Sequence, residues 1–124
     1  IPHLRAQGEG AIVTISSVAG IRGVPKSVTY CTVKGAVLEF TRALARDLAE
    51  DNIRVNTVCP GIIRTPFHAA MTEEAKRHNL ANRIPLHREG TADDVAQAIR
   101  LLVTNEFITG ESLVIDGGMT SRVP

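Results

Sequence analysis

Three short strand-like runs set the architecture of this chain: Ala11 to Ile15, Ile53 to Val58 and Ser112 to Ile115. The first is nearly unbroken in apolar residues, as expected of a strand covered on both faces. Between the runs lie stretches of helical period, so the order is strand, helix, strand, helix, strand. Alternation of this kind builds a parallel sheet through crossover helices, which are expected to be right-handed. The expected class is therefore α/β. In parallel sheets ligands bind beyond the carboxyl ends of the strands, and Ser17, Pro60-Gly61 and Asp116-Gly117 all fall there. Three segments far apart in sequence point to one edge.

The first long helix is expected from Val28 to Asp51, with Ser27 as N-cap and Asn52 at its end. Val33, Val37, Phe40, Leu44 and Leu48 form its apolar stripe, which Leu38, Ala45 and Ala49 broaden. Its charges Glu39, Arg42, Arg46 and Glu50 occupy a narrow solvated strip. A helix this apolar is expected to pack on two sides, against its own sheet and against a second layer such as another subunit. Ile1 to Ala6 reads as the tail of a helix, closed by Gln7 to Gly10. The stretch from Val18 to Lys26, with Gly20, Gly23 and Pro25, is expected to be irregular loop. Pro60-Gly61 stops the second strand. Ile62 to Asn82 carries one expected short helix after Thr72, with Glu73 and Glu74 in its first turn, and is read as a lid beside the site, with disorder as the competing reading. Arg83 to Gly90 returns through turns. Thr91 and Asp94 make a near capping box for a helix through about Thr104, buried along Ala92, Val95, Ala98, Ile99 and Leu102.

The 124 residues suit one domain. Fourteen basic residues against 13 acidic ones give a formal charge of +1, with neither sign gathered into a block, so no polyanion surface is indicated. One tyrosine, three phenylalanines and no tryptophan leave no interleaved aromatics for stacking on bases, and nucleic acid is not an expected partner. Cys31 and Cys59 have no C-x-x-C spacing, and His68, His78 and His87 match no metal pattern, so neither a disulfide framework nor a metal site is expected. No apolar stretch approaches the ~20 residues of a membrane span, and the opening lacks a signal peptide's apolar core. The expectation is a soluble, cytoplasmic protein without membrane contact.

Tyr30 and Lys34 are four residues apart in the first helical stretch, so their side chains leave one face about a turn apart. A neighbouring ammonium favours phenolate and pulls a tyrosine down from its usual pKa of ~10. Such a tyrosine can exchange a proton with a substrate oxygen. Ser17 closes the first strand, where its hydroxyl can hydrogen-bond that same oxygen. A Tyr/Lys pair at helical spacing is by itself usually a structural or solvated feature. The frame makes this one specific: a strand ending in Ser16-Ser17, a Gly-containing loop, then Tyr30 and Lys34 opening a long helix.

That frame resembles the active-site segment of the short-chain dehydrogenase/reductase family. Four stretches carry the likeness: I-S-S-V-A-G at Ile15 to Gly20, Y-C-T-V-K at Tyr30 to Lys34, N-T-V-C-P-G at Asn56 to Gly61 with Thr65, and I-D-G-G at Ile115 to Gly118. The resemblance spans nearly the whole chain and corresponds to the second half of a family member. It implies a Rossmann-like doubly wound parallel sheet, of which residues 1–124 hold only the carboxyl-terminal strand-helix-strand-helix-strand portion. It also implies that Tyr30 is the general acid/base, that Lys34 lowers its pKa and bonds the nicotinamide ribose, and that Ser17 orients the carbonyl. Pro60, Gly61, Ile63 and Thr65 would line the nicotinamide of NAD or NADP, Pro-Gly backbone letting the ring approach closely. Hydride would move between that cofactor and a small-molecule secondary alcohol or ketone. Pairing of the long helix in a homodimer or homotetramer is a further implication. The Gly-rich phosphate loop, the ribose selector, the N-A-G segment and the helix asparagine of the family belong upstream of these residues. These 124 residues alone are therefore expected to be inactive. A non-catalytic half-domain that persists through association of its long helix is the alternative expectation.

Overall fold

The computed structural model describes residues 1–66 and 71–121. Strands β1 (Gly10–Ile15), β2 (Ile53–Pro60) and β3 (Ser112–Ile115) form one parallel sheet in the order β1-β2-β3. Around it lie helices α1 (Pro2–Gln7), α2 (Val18–Ile21), α3 (Val28–Asp47), α4 (Glu73–His78) and α5 (Ala92–Thr104). The expected α/β class and parallel sheet are present. β2 is the central strand, and Val55, Val58 and Cys59 along it are fully buried. Burial pushes the Cys59 thiol above its ordinary pKa, a neighbouring Ser16 hydroxyl only partly offsetting this.

Side chains alternate across a strand, so the two faces of β2 carry different residues. Ile53 and Val55 face α3, where they pack with Ile12 of β1 against Leu44, Ala45 and Leu48. Thr14 and Thr41 extend that contact with a bond of 2.7 Å between their hydroxyls. Arg54 and Asn56 face the other way. The Arg54 guanidinium donates to the carbonyls of Leu102 and Val103, both at 2.7 Å, and so serves carbonyls that the end of α5 leaves open. The buried amide of Asn56 donates to the Ile108 carbonyl at 2.8 Å and accepts from the Glu111 N–H at 3.0 Å. It ties the return loop before β3 to the middle of the sheet.

Helices α3 and α5 thus cover opposite faces, which makes the sheet doubly wound. Both crossovers advance in one direction, from β1 to β2 to β3, yet they pass over opposite faces. They must have opposite hands, and the expectation of right-handed crossovers fails for one of the two. The rule applies to a helix that folds straight back on its strand. The connection from β2 to β3 holds residues 61–111, including α4, and is long enough to take the chain round the sheet.

Several local expectations are corrected. Helix α3 ends at Asp47; Leu48 leaves helical space, Ala49–Asp51 tighten into a 3-10 turn, and Asn52 is left-handed at φ 55°. The apolar stripe read from the sequence mixed two faces: Leu38, Thr41, Ala45 and Leu48 are buried, whereas Val33 and Phe40 are 56% and 57% exposed. The inward face is the one on which Thr41 meets Thr14. Val18 to Ile21 is a single helical turn and not loop. Ser27 precedes α3 without a capping bond. β2 runs two residues past Val58, ending at Pro60, where a missing N–H is tolerated. The capping box of α5 is complete: Asp94 N–H donates to Thr91 Oγ1, and Thr91 N–H donates to Asp94 Oδ2. The short helix expected after Thr72 is present as α4, and Thr72 caps it by accepting from the Ala75 N–H at 3.2 Å. His68 lies outside the described residues. Among them, no helix is long and apolar enough to cross a membrane.

Candidate active site

β1 delivers Ser16 and Ser17 to the carboxyl edge of the sheet. Ser17 is extended and caps α2, its Oγ accepting from the Ala19 N–H at 3.2 Å. Accepting there leaves the hydroxyl's own proton available for donation. Ser16 is buried, and its hydroxyl donates to the Lys34 carbonyl at 2.7 Å. Gly20 completes the clamp, because a Cβ on it would lie 2.6 Å from the Lys34 carbonyl carbon and oxygen. Only a bare glycine lets α2 approach α3 at this point. Both contacts fix the backbone from which the Lys34 side chain leaves, and neither role was evident in the sequence, where Gly20 reads as loop punctuation.

The Lys34 ammonium donates to the Ile15 carbonyl at 2.9 Å and lies 5.8 Å from the centre of the Tyr30 ring. This is within cation-π range. Tyr30 is 44% exposed. The opposite wall of the cavity comes from the end of β2. Gly90 pairs with Ile63 as an isolated parallel bridge, accepting from Arg64 at 2.8 Å and donating to Ile62 at 3.0 Å. That pairing holds the strand-like exit after Pro60-Gly61 in place. The reason for glycine at 61 differs from the expected one. A Cβ there would come within 2.8 Å of the Asp116 Cβ, so the requirement arises from the end of β3. Asp116 in turn accepts from the Gly118 N–H at 2.8 Å and from the Thr120 N–H and hydroxyl, both at 2.7 Å. This turn brings Met119 over the site.

One cavity of about 660 Å³ receives all of these segments, and Ser17, Tyr30, Lys34, Pro60, Gly61, Ile63 and Thr65 all line it. The structure therefore brings together all seven residues read as catalytic or cofactor-binding, whereas Asp116 and Gly117, expected at the same edge, line a separate cavity. It adds Met71, Asn79, Arg83 and Met119, which no local pattern marked. A π-helical turn, Asn79–Arg83, follows α4 and places two of them. The Asn79 amide donates to Met71 Sδ at 3.1 Å and accepts from the Arg83 guanidinium at 3.0 Å. Behind the Ile63 wall, Arg88 lies 3.1 Å from Asp94. That hydrogen bond, followed by those from the Thr91 N–H and hydroxyl, lowers the Asp94 pKa to about 2. Among the described residues no group of His, Cys, Asp and Glu is arranged to hold a metal ion.

A family described as enoyl-(acyl carrier protein) reductase matches residues 1–120. FabG of Thermotoga maritima, a 3-oxoacyl-(acyl-carrier-protein) reductase, is 42% identical over 121 residues, covering 96% of this chain and 49% of that protein. The 2-(R)-hydroxypropyl-CoM dehydrogenase of Xanthobacter autotrophicus is 40% identical over 124 residues, covering 98% of this chain and 50% of the relative. The solved structure of ElxO with NADP bound superposes with a TM-score of 0.88 at 37% identity, covering 98% of this chain and 50% of that one. The chain spans about half the length of the relatives it matches.

Proposed function

The chain belongs to the short-chain dehydrogenase/reductase family, and from that premise we propose that the protein containing it is an oxidoreductase that interconverts a secondary alcohol and a ketone with NAD or NADP. The observation that carries this reading is the meeting of Ser17, Tyr30 and Lys34 with the Pro60 to Thr65 wall in one cavity. The substrate class draws support from a hydroxypropyl-CoM dehydrogenase and a 3-oxoacyl reductase among the relatives, and the cofactor from a neighbour with NADP bound.

The residues present fit a nicotinamide nucleoside. Lys34 has three N–H donors, of which the Ile15 carbonyl takes one, so donors remain for ribose hydroxyls. Pro60, Gly61, Ile62 and Ile63 offer a mostly apolar wall to a flat ring. When bound, the cofactor supplies hydride in the reducing direction and takes it up in the oxidising one. The chain's own residues manage the oxygen. Ser17 donates a hydrogen bond to the substrate oxygen and holds the carbonyl in register. Tyr30 gives its phenolic proton to that oxygen during reduction and takes it back during oxidation. The Lys34 ammonium beside the ring steadies the phenolate left behind. Tyr30→Phe in the full-length protein should abolish turnover while cofactor still binds, and retained turnover would refute the assignment.

We further propose that residues 1–124 are the carboxyl-terminal half of one Rossmann-fold domain, inactive alone. Titrating NADP into this half and into the full-length protein checks the point. Tight binding by the half alone would overturn it. The outward face of α3, with Val33 and Phe40 exposed, favours assembly as a homodimer or homotetramer. It also supports the second reading, a non-catalytic half-domain held together by that face. Sedimentation of the 124-residue chain as a monomer would remove this second reading.

A further inference from the structure

The active-site cavity adjoins a smaller chamber of about 220 Å³, and the two share Val18, Val24, Arg83 and Met119 as walls. Arg83 and Lys34 line the larger space, while Arg83 and Arg22 line the smaller one. Among the described residues neither lining contains a carboxylate. Arg83 is half-buried, and its guanidinium bonds the neutral amide oxygen of Asn79. Asn79 is 6% exposed and bonds Met71 through its other amide atom, so the arginine is anchored from behind. A guanidinium carries five donors, so most of those on Arg83 are not used by this anchor. The charge is held in a partly enclosed, otherwise largely apolar space, where its attraction for an anion is less screened than at the open surface. Nothing in the proton transfer at Tyr30 requires a second cation on this side of the cavity.

Resting on the proposed alcohol-ketone chemistry, we propose that Arg83 binds an anionic group borne by the substrate at a distance from its carbonyl. A carboxylate suits the planar fork of the guanidinium, and a phosphate on an acyl carrier would use the same donors. Arg83 is then a substrate-binding residue that sets specificity.

The test uses the full-length protein with its cofactor. Acetoacetate, levulinate and longer oxo acids are each compared with their methyl esters, and acetoacetyl-coenzyme A with the uncharged acetoacetyl-N-acetylcysteamine. The wild type should prefer the charged member of at least one pair. Arg83→Met should lower kcat/KM for that member by about tenfold or more, chiefly through KM, and leave the neutral member within about twofold. Arg83→Lys should restore part of the preference, and melting curves of both variants show whether the fold is kept. Which pair responds identifies the source of the anion. Equal losses on charged and neutral members, or no preference in the wild type, would overturn the proposal. Tyr30→Phe separates the two claims: it should lose turnover yet still show a thermal shift with the charged compound of the pair that responds, a shift that Arg83→Met lacks. Absence of that shift in both the wild type and Tyr30→Phe would also refute the anion site, even if the ketone chemistry stands.

Discussion

The two walls of the cavity are built in different ways. The segment from β1 through α3 fixes its chemistry by short-range geometry: one helical turn joins Tyr30 to Lys34, and a strand end presents Ser17. The segment between β2 and β3 fixes its wall by distant contacts, Ile63 with Gly90, Gly61 with Asp116, and Arg83 through Asn79. In the proposed function the first wall supplies proton transfer, which tolerates little variation in geometry. The second supplies shape and charge, which different side chains can change without disturbing the first. On that proposal, reaction and selectivity lie on separate lengths of chain.

Four experiments bear on that division. The largest effect should come from Tyr30→Phe in the full-length protein, with kcat reduced by ~10²–10⁴-fold, the range for a lost general acid/base. The urea midpoint should stay in place, since the phenol lies at an exposed surface; a shifted midpoint would mean that the first wall also depends on this hydroxyl. Gly20→Ala comes next. The added methyl meets the Lys34 backbone, which cannot swing aside, so a loss of about 1–3 kcal/mol is expected in denaturant unfolding, with turnover falling too as Lys34 moves. Undiminished turnover in a destabilised variant would uncouple the clamp from the chemistry. Thr91→Ala removes the α5 cap behind the second wall and should cost about 1 kcal/mol with kcat preserved. A fall in kcat would show that the two walls are not independent.

The smallest effect concerns pH. The Asp94 pKa is lowered from 3.8 to about 2 in the folded chain, so its ionised form favours the fold. Its contribution is complete above the ordinary value and disappears as pH falls toward about 2. Exposure to solvent keeps it small. Asp94→Asn should flatten the acid limb of the stability curve slightly, as followed by circular dichroism, and an unchanged limb would remove this carboxylate from the acid response.

The same contrast explains what the sequence disclosed. The alternation of strands and helices and the helix around Tyr30 and Lys34 were legible because they rest on periodicity, and Ser17 because it stands at a strand end, whereas Pro60, Gly61, Ile63 and Thr65 were marked only by the likeness to a family motif. The buried face of α3 was misread because apolar residues occupy both faces, and the inward one is the face on which Thr41 meets Thr14. Gly20 and Gly61 were visible as glycines, but their reasons, the Lys34 carbonyl and Asp116, come from partners distant in sequence. Asn79 and Arg83 had no period or motif to mark them. The expectation of two right-handed crossovers failed because hand depends on which face α5 covers, and Arg54 and Asn56 read locally as polar interruptions of a strand.

The two thiols give the molecule internal timers of different settings. Cys31, beside Tyr30, is partly accessible, whereas Cys59 is sealed in the central strand with its thiolate disfavoured by burial. A thiol reagent added to the folded protein would mark the first by small local motions, while the second must wait until the sheet itself comes apart. The lag between the two labels is a measure of how often the whole structure opens.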